Sequence, residues 1–158
     1  MNLILKPSII DHWQSQVEDL QLSSEAFYKE ITDTLDRKAY PNVIYERTAL
    51  NQGGFFSAKR DYLKVAWGEY EFLICAAPFG ADFFFSWYIK KCMSTGALLE
   101  PIPFIGKWLY RMSLRKSYYE YDTETMFMGS IKKVVENIMA KVAQDKGLRI
   151  GQREAATA

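Results

Sequence analysis

The sequence predicts an α+β fold, an antiparallel sheet of about four strands with two helices packed on it, and three observations carry this reading. Apolar residues recur every third or fourth position over 24–38 and again over 123–145, the spacing of a helix with one buried face. Between those segments the period falls towards two, and glycine-containing turns divide the stretch into four strand-length pieces, roughly 43–50, 56–67, 70–77 and 83–90. Finally, the pair Gly68-Glu69 places glycine first in a two-residue turn, the arrangement of a type II′ hairpin.

At the start of the chain Ile10, Trp13, Val17 and Leu20 fall at three- and four-residue steps, which admits a short helix. Ser23 or Ser24 is suited to cap the helix 24–38, where Phe27, Ile31 and Leu35 repeat every fourth residue and Glu25 and Arg37-Lys38 suit the two ends of the dipole. Pro41 stops that helix, since the residue before a proline is pushed out of helical geometry. From there 43–50 is β-branched and aromatic, and Asn51-Gln52-Gly53-Gly54 supplies turn residues before the next strand.

The Gly68-Glu69 turn fixes a register, because antiparallel partners keep a constant index sum. Trp67 then faces Tyr70, Val65 faces Phe72 and Leu63 faces Ile74, six apolar residues on one side; a slip of one residue would move all six to the other face. The opposite face, with Tyr62, Lys64, Leu73 and Cys75, is mixed. Residues 72–89 contain one charge, Asp82, and match a short membrane span in length. A carboxylate near the centre costs about 2.5–3.5 kcal/mol on insertion scales, so two buried strands joined by a turn fit better. The 83–90 strand carries aromatic residues on both faces and is expected in the interior of the sheet.

Beyond Lys90-Lys91, the prolines at 101 and 103 mark an extended connector, and Ile105, Trp108, Leu109 and Met112 share the face of a short helix. Asp122 or Thr123 is the expected cap of the 123–145 helix, and Gly147 its exit. Residues 1–148 read as one domain and 149–158 as a flexible tail.

Composition narrows function by exclusion. Twenty basic against nineteen acidic residues leave a net charge of +1, so no global field attracts nucleic acid or an anionic membrane. Two cysteines without dense spacing point to a reducing compartment, and the cytoplasm is the expected location, with peripheral membrane association as a variant. His12 is the only histidine, so a catalytic triad would have to recruit it, and with two separated cysteines no transition-metal site of ordinary ligand count is assembled. No catalytic residue, metal ligand or cofactor is assigned, and a non-enzymatic role is expected.

The segment 107–119 differs from the rest, with four basic residues, four aromatics and no acid. Lys107, Trp108, Arg111, Arg115 and Lys116 are the expected partner-binding residues, with a protein partner or a second copy of the chain favoured over a membrane surface, and a nucleic acid disfavoured. A second candidate is an apolar-ligand pocket involving Tyr62, Cys75 and Trp87.

Overall fold

The computed structural model describes residues 8–51, 59–92 and 117–147. Its elements are strand β1 (Ser8–Val17), helix α1 (Ser24–Lys38), strands β2 (Ile44–Asn51), β3 (Lys59–Trp67), β4 (Tyr70–Phe79) and β5 (Asp82–Lys91), and helix α2 (Tyr118–Asp145). The fold is α+β, and its antiparallel sheet has five described strands in the order β1-β5-β4-β3-β2.

The hairpin of β3 and β4 has the expected register: Trp67 pairs with Tyr70, Val65 with Phe72 and Leu63 with Ile74. Gly68 has φ 57°, a conformation that costs other residues steric strain, and this turn therefore depends on glycine. The next hairpin turns at Gly80 (φ 67°), pairing Phe79 with Asp82 and Ile74 with Trp87. The last expected strand is interior, flanked by β4 and β1.

The fifth strand corrects the helix expected near the N-terminus. In β1, Trp13 and Val17 turn towards the core, and Trp13 pairs with Trp87 and stacks on it. The helical spacing of Ile10 is accidental, because the register shifts between Ile9 and Asp11 and leaves Ile10 in a bulge. Both isoleucines are exposed on this edge strand, where a bulge discourages pairing with another chain.

Helix α1 begins where expected: the Ser23 hydroxyl accepts from the Ala26 N–H at 3.4 Å, and Ala39 closes the helix with φ 46°. Helix α2 starts earlier than the expected 123, at Tyr118. Ser117 caps it through a reciprocal box, with its hydroxyl accepting from the Glu120 N–H at 3.2 Å and its own N–H donating to Glu120 Oε2 at 2.7 Å. Gly147, φ 68°, ends it as expected. The connector 93–116 and the tail 149–158 lie outside the described residues.

Both helices pack on one side of the sheet. Phe27, Tyr28, Ile31 and Leu35 of α1 and Phe127, Ile131, Val134, Val135 and Ile138 of α2 meet a layer of strand residues that includes Val65, Phe72, Ile74, Phe85 and Trp87. Removing each such side chain from water contributes about 1.5–3 kcal/mol. Phe127 lies 5.7 Å from Phe72 and 5.9 Å from Trp67, ring centre to ring centre, so the start of the buried stripe of α2 is clamped to the first hairpin. The buried Tyr70 hydroxyl donates to Glu124 Oε2 at 2.9 Å, which fixes α2 one turn before Phe127.

Candidate interaction surface

The two faces of the sheet differ sharply in what they meet. Strand alternation and the observed registers put Leu63, Val65, Phe72, Ile74, Phe85 and Trp87 under the helices. Tyr62, Lys64, Leu73, Cys75, Ser86, Tyr88 and Lys90 therefore point the other way. The structure thus brings Tyr62 and Cys75 together and puts Trp87 on the opposite side, in the core against Trp13 and Phe72. The three do not line one cavity; Tyr88, which pairs with Leu73, takes the position on the Tyr62 face.

Cys75 is buried next to Ser86, and its thiol is pushed above the ordinary range chiefly by burial. Tyr62, half-buried beside it, is raised for the same first reason, with the cysteine contributing. Both groups are neutral at pH 7, which makes this patch a packing surface and a poor nucleophilic centre. Towards the second hairpin the same face carries a shallow hollow of about 270 Å³ lined by Gln16, Arg60, Ala77, Pro78, Phe79 and Phe84. Phe79, at the strand end, is 74% exposed.

The polar residues singled out by sequence have structural tasks. Asp82 accepts hydrogen bonds from the Gln16 amide and, at 3.3 Å, from the Asp19 N–H. It thereby pins the turn after β1, where Asp19 has φ 53°, to the start of β5. His12 is exposed and stacks on Tyr88 at 6.0 Å. Among the described residues no group of three or more His, Cys, Asp or Glu is placed to hold a metal ion.

The expected partner-binding residues Lys107, Trp108, Arg111, Arg115 and Lys116 lie outside the described residues. Their immediate continuation is described and forms the most exposed aromatic surface among the described residues. Tyr118, Tyr119 and Tyr121 in the first turns of α2 are 93%, 78% and 65% exposed, and Met126 is 62% exposed. The capping box makes this stretch helical, while the first residues that α2 buries are Glu124 and Phe127. The tyrosines precede that anchor and make no packing contribution to the core. Glu120 and Asp122 are interleaved with them, so the described part of the surface alternates aromatic and acidic residues.

Sequence reading ended the basic-aromatic segment at Tyr119 and missed Tyr121 and Met126. The available signal was the pair Ser117 and Glu120, the spacing of a capping box, which moves the helix start upstream and turns the tyrosines into a helical surface. Comparison with known proteins gives no family model, no curated protein and no solved structure that matches this chain.

Proposed function

We propose that the protein is a cytoplasmic, non-enzymatic binding or assembly module that holds a protein partner, a second copy of itself included, through the tyrosine-bearing start of α2 and the basic-aromatic sequence before it. The observation that carries this reading is the exposure of Tyr118, Tyr119 and Tyr121 on a helix turn fixed by its own cap. Tyrosine and methionine are enriched in protein interfaces, where a ring supplies large contact area at low entropic cost. A capped helix fixes the backbone that carries those rings before binding, which lowers the ordering cost of association.

Charge favours a protein over an anionic surface. Glu120 and Asp122 stand between the tyrosines and would repel phosphates of a membrane or a nucleic acid at close range, whereas a protein partner offers basic side chains to meet them. Among the described residues no helix is long and apolar enough to cross a membrane. Cys75 and Cys92 are both free thiols, which supports the reducing compartment.

Apolar-ligand binding is the weaker reading. The hollow at Phe79 and Phe84 has the right lining, but its 270 Å³ falls below the roughly 300–1,000 Å³ of ordinary ligand pockets.

Sedimentation velocity over a concentration series tests the first reading. The triple variant Tyr118→Ser, Tyr119→Ser, Tyr121→Ser is expected to keep the unfolding transition within about 0.5 kcal/mol of the parent, because these residues are exposed, and to lose any concentration-dependent association. Association unchanged in that variant would refute the assignment of the surface to self-assembly. Binding of the parent to anionic vesicles would move the assignment to a membrane.

A further inference from the structure

A groove of about 470 Å³ runs between α1 and α2, away from the tyrosines and from the second face of the sheet. Its floor is apolar, formed by Val134 and Ile138, both almost fully buried. Its walls are cationic, with Arg37 and Lys38 from α1 and Lys133 and Lys141 from α2. The one acid in the lining, Glu30, is already engaged by Lys141 at 3.2 Å. Four cations against one carboxylate leave the groove with three positive charges in excess, in a chain whose total is +1.

This imbalance is local. Lys29, Arg47, Lys64, Lys91, Lys132 and Lys141 each have a carboxylate partner, whereas Arg60, Lys90 and Lys146, none of which lines the groove, have none among the described residues. Arg37, Lys38 and Lys133 have no carboxylate partner among the described residues. Arg37 instead donates to the Asp33 carbonyl at 3.3 Å and to the Thr34 hydroxyl at 2.8 Å, and Thr34 also lines the groove. Arg37 and Lys38 also complement the C-terminal end of α1, but Lys133 lies in the middle of α2 and has no such role. Ser130 and Asn137 add neutral hydrogen-bonding groups on the same face of α2, one turn either side of Lys133.

We propose that this groove is a binding site for a phosphate-bearing small molecule, held by its phosphate between Arg37, Lys38 and Lys133. An ion of two or more negative charges relieves the mutual repulsion of the three cations and accepts their charge-assisted hydrogen bonds. The volume exceeds that of a bare phosphate and lies within the range of small-molecule sites, so the organic part of the ligand rests on Val134 and Ile138. The site is independent of the proposed protein-binding surface.

The test uses inorganic pyrophosphate as the probe, titrated into the full-length chain at about 0.15 M salt and followed by isothermal calorimetry and by amide chemical shifts. Saturable binding with shifts centred on Thr34, Ser130 and Asn137 is expected. The variant Lys38→Gln/Lys133→Gln alters exposed side chains, and is expected to fold normally and to bind about tenfold more weakly or worse. A control of equal charge change, Lys90→Gln/Lys146→Gln, is expected to bind as the parent does. Absence of saturable binding by the parent, shifts centred elsewhere, or an equal loss in both double variants would each overturn the proposal.

Discussion

Tyr28 of α1 reaches through to the sheet and accepts a hydrogen bond from the Ala76 N–H of β4 at 2.9 Å. The same hydroxyl donates to the Asp61 carbonyl of β3, also at 2.9 Å. The ladder between these strands ends at Leu63 and Ile74, and Asp61 and Ala76 would be the next opposed residues of that parity. One phenol therefore stands in for a rung of the ladder and ties the helix to two strands at once. Arg47 of β2 covers the ring at 4.2 Å and pairs with Glu25 at 2.7 Å, which brings the outermost strand into the same cluster.

Tyr28→Phe keeps the ring and its packing but leaves a buried N–H and a carbonyl without their partner. A loss of about 1–3 kcal/mol is expected in urea unfolding, with little change in the far-UV spectrum of the folded state. A cost near zero would show that β3 and β4 can close the gap without the hydroxyl.

The same residue predicts an alkaline limit to stability. Burial pushes the Tyr28 phenol above its ordinary 10.0 and the Cys75 thiol above its ordinary 9.0. Below those values both groups are protonated whether the chain is folded or not. Above them the unfolded chain releases its protons first, so stability is complete at neutral pH and falls as pH rises. Unfolding free energies at about pH 8 and about pH 10.5 are expected to show this decline, with a smaller slope above pH 10 in Tyr28→Phe.

A third prediction concerns the register. Val65 is fully buried opposite Phe72, so Val65→Asp puts an unpaired carboxylate in the core and is expected to cost more than about 4 kcal/mol or prevent folding. Lys64 is on the other face, ion-paired with Glu46, and Lys64→Asp is expected to cost about 1 kcal/mol. Urea midpoints in the reverse order would contradict the pairing fixed by Gly68-Glu69.

That register was legible in the sequence because the turn that sets it is local: two residues determine which of the next six face the core. The strand β1 was not, because its partner β5 lies more than sixty positions away and the bulge at Ile10 imitates helical spacing. Grouping Trp87 with Cys75 conflicts with the Gly80 turn, which opposes Trp87 to Ile74 and so puts it in the core. The Tyr28 bridge and the cationic groove each join segments remote in the chain, and no periodicity within one segment announces such contacts. The tyrosines at the start of α2 are half visible in the sequence: Tyr118 and Tyr119 fall in the basic-aromatic segment, Tyr121 does not, and their helical presentation depends on Ser117 as the cap.

Phe127→Ala tests the clamp between α2 and the first hairpin. Loss of its contacts with Trp67 and Phe72 is expected to cost about 3–5 kcal/mol. A cost below about 1 kcal/mol would mean that α2 is held mainly by the Ile131 to Ile138 part of its stripe.

Site-specific photocrosslinking from position 119 tests the central claim, that the start of α2 is a protein-binding surface. A photoreactive phenylalanine in place of Tyr119, in the full-length chain in its native cells, is expected to give one discrete crosslinked protein, either a second copy or another chain. That product should vanish when Tyr118 and Tyr121 are changed to serine, and should not form from the same probe at Glu136, an exposed position further along α2. No product from position 119, or the same products from both positions, would contradict the account.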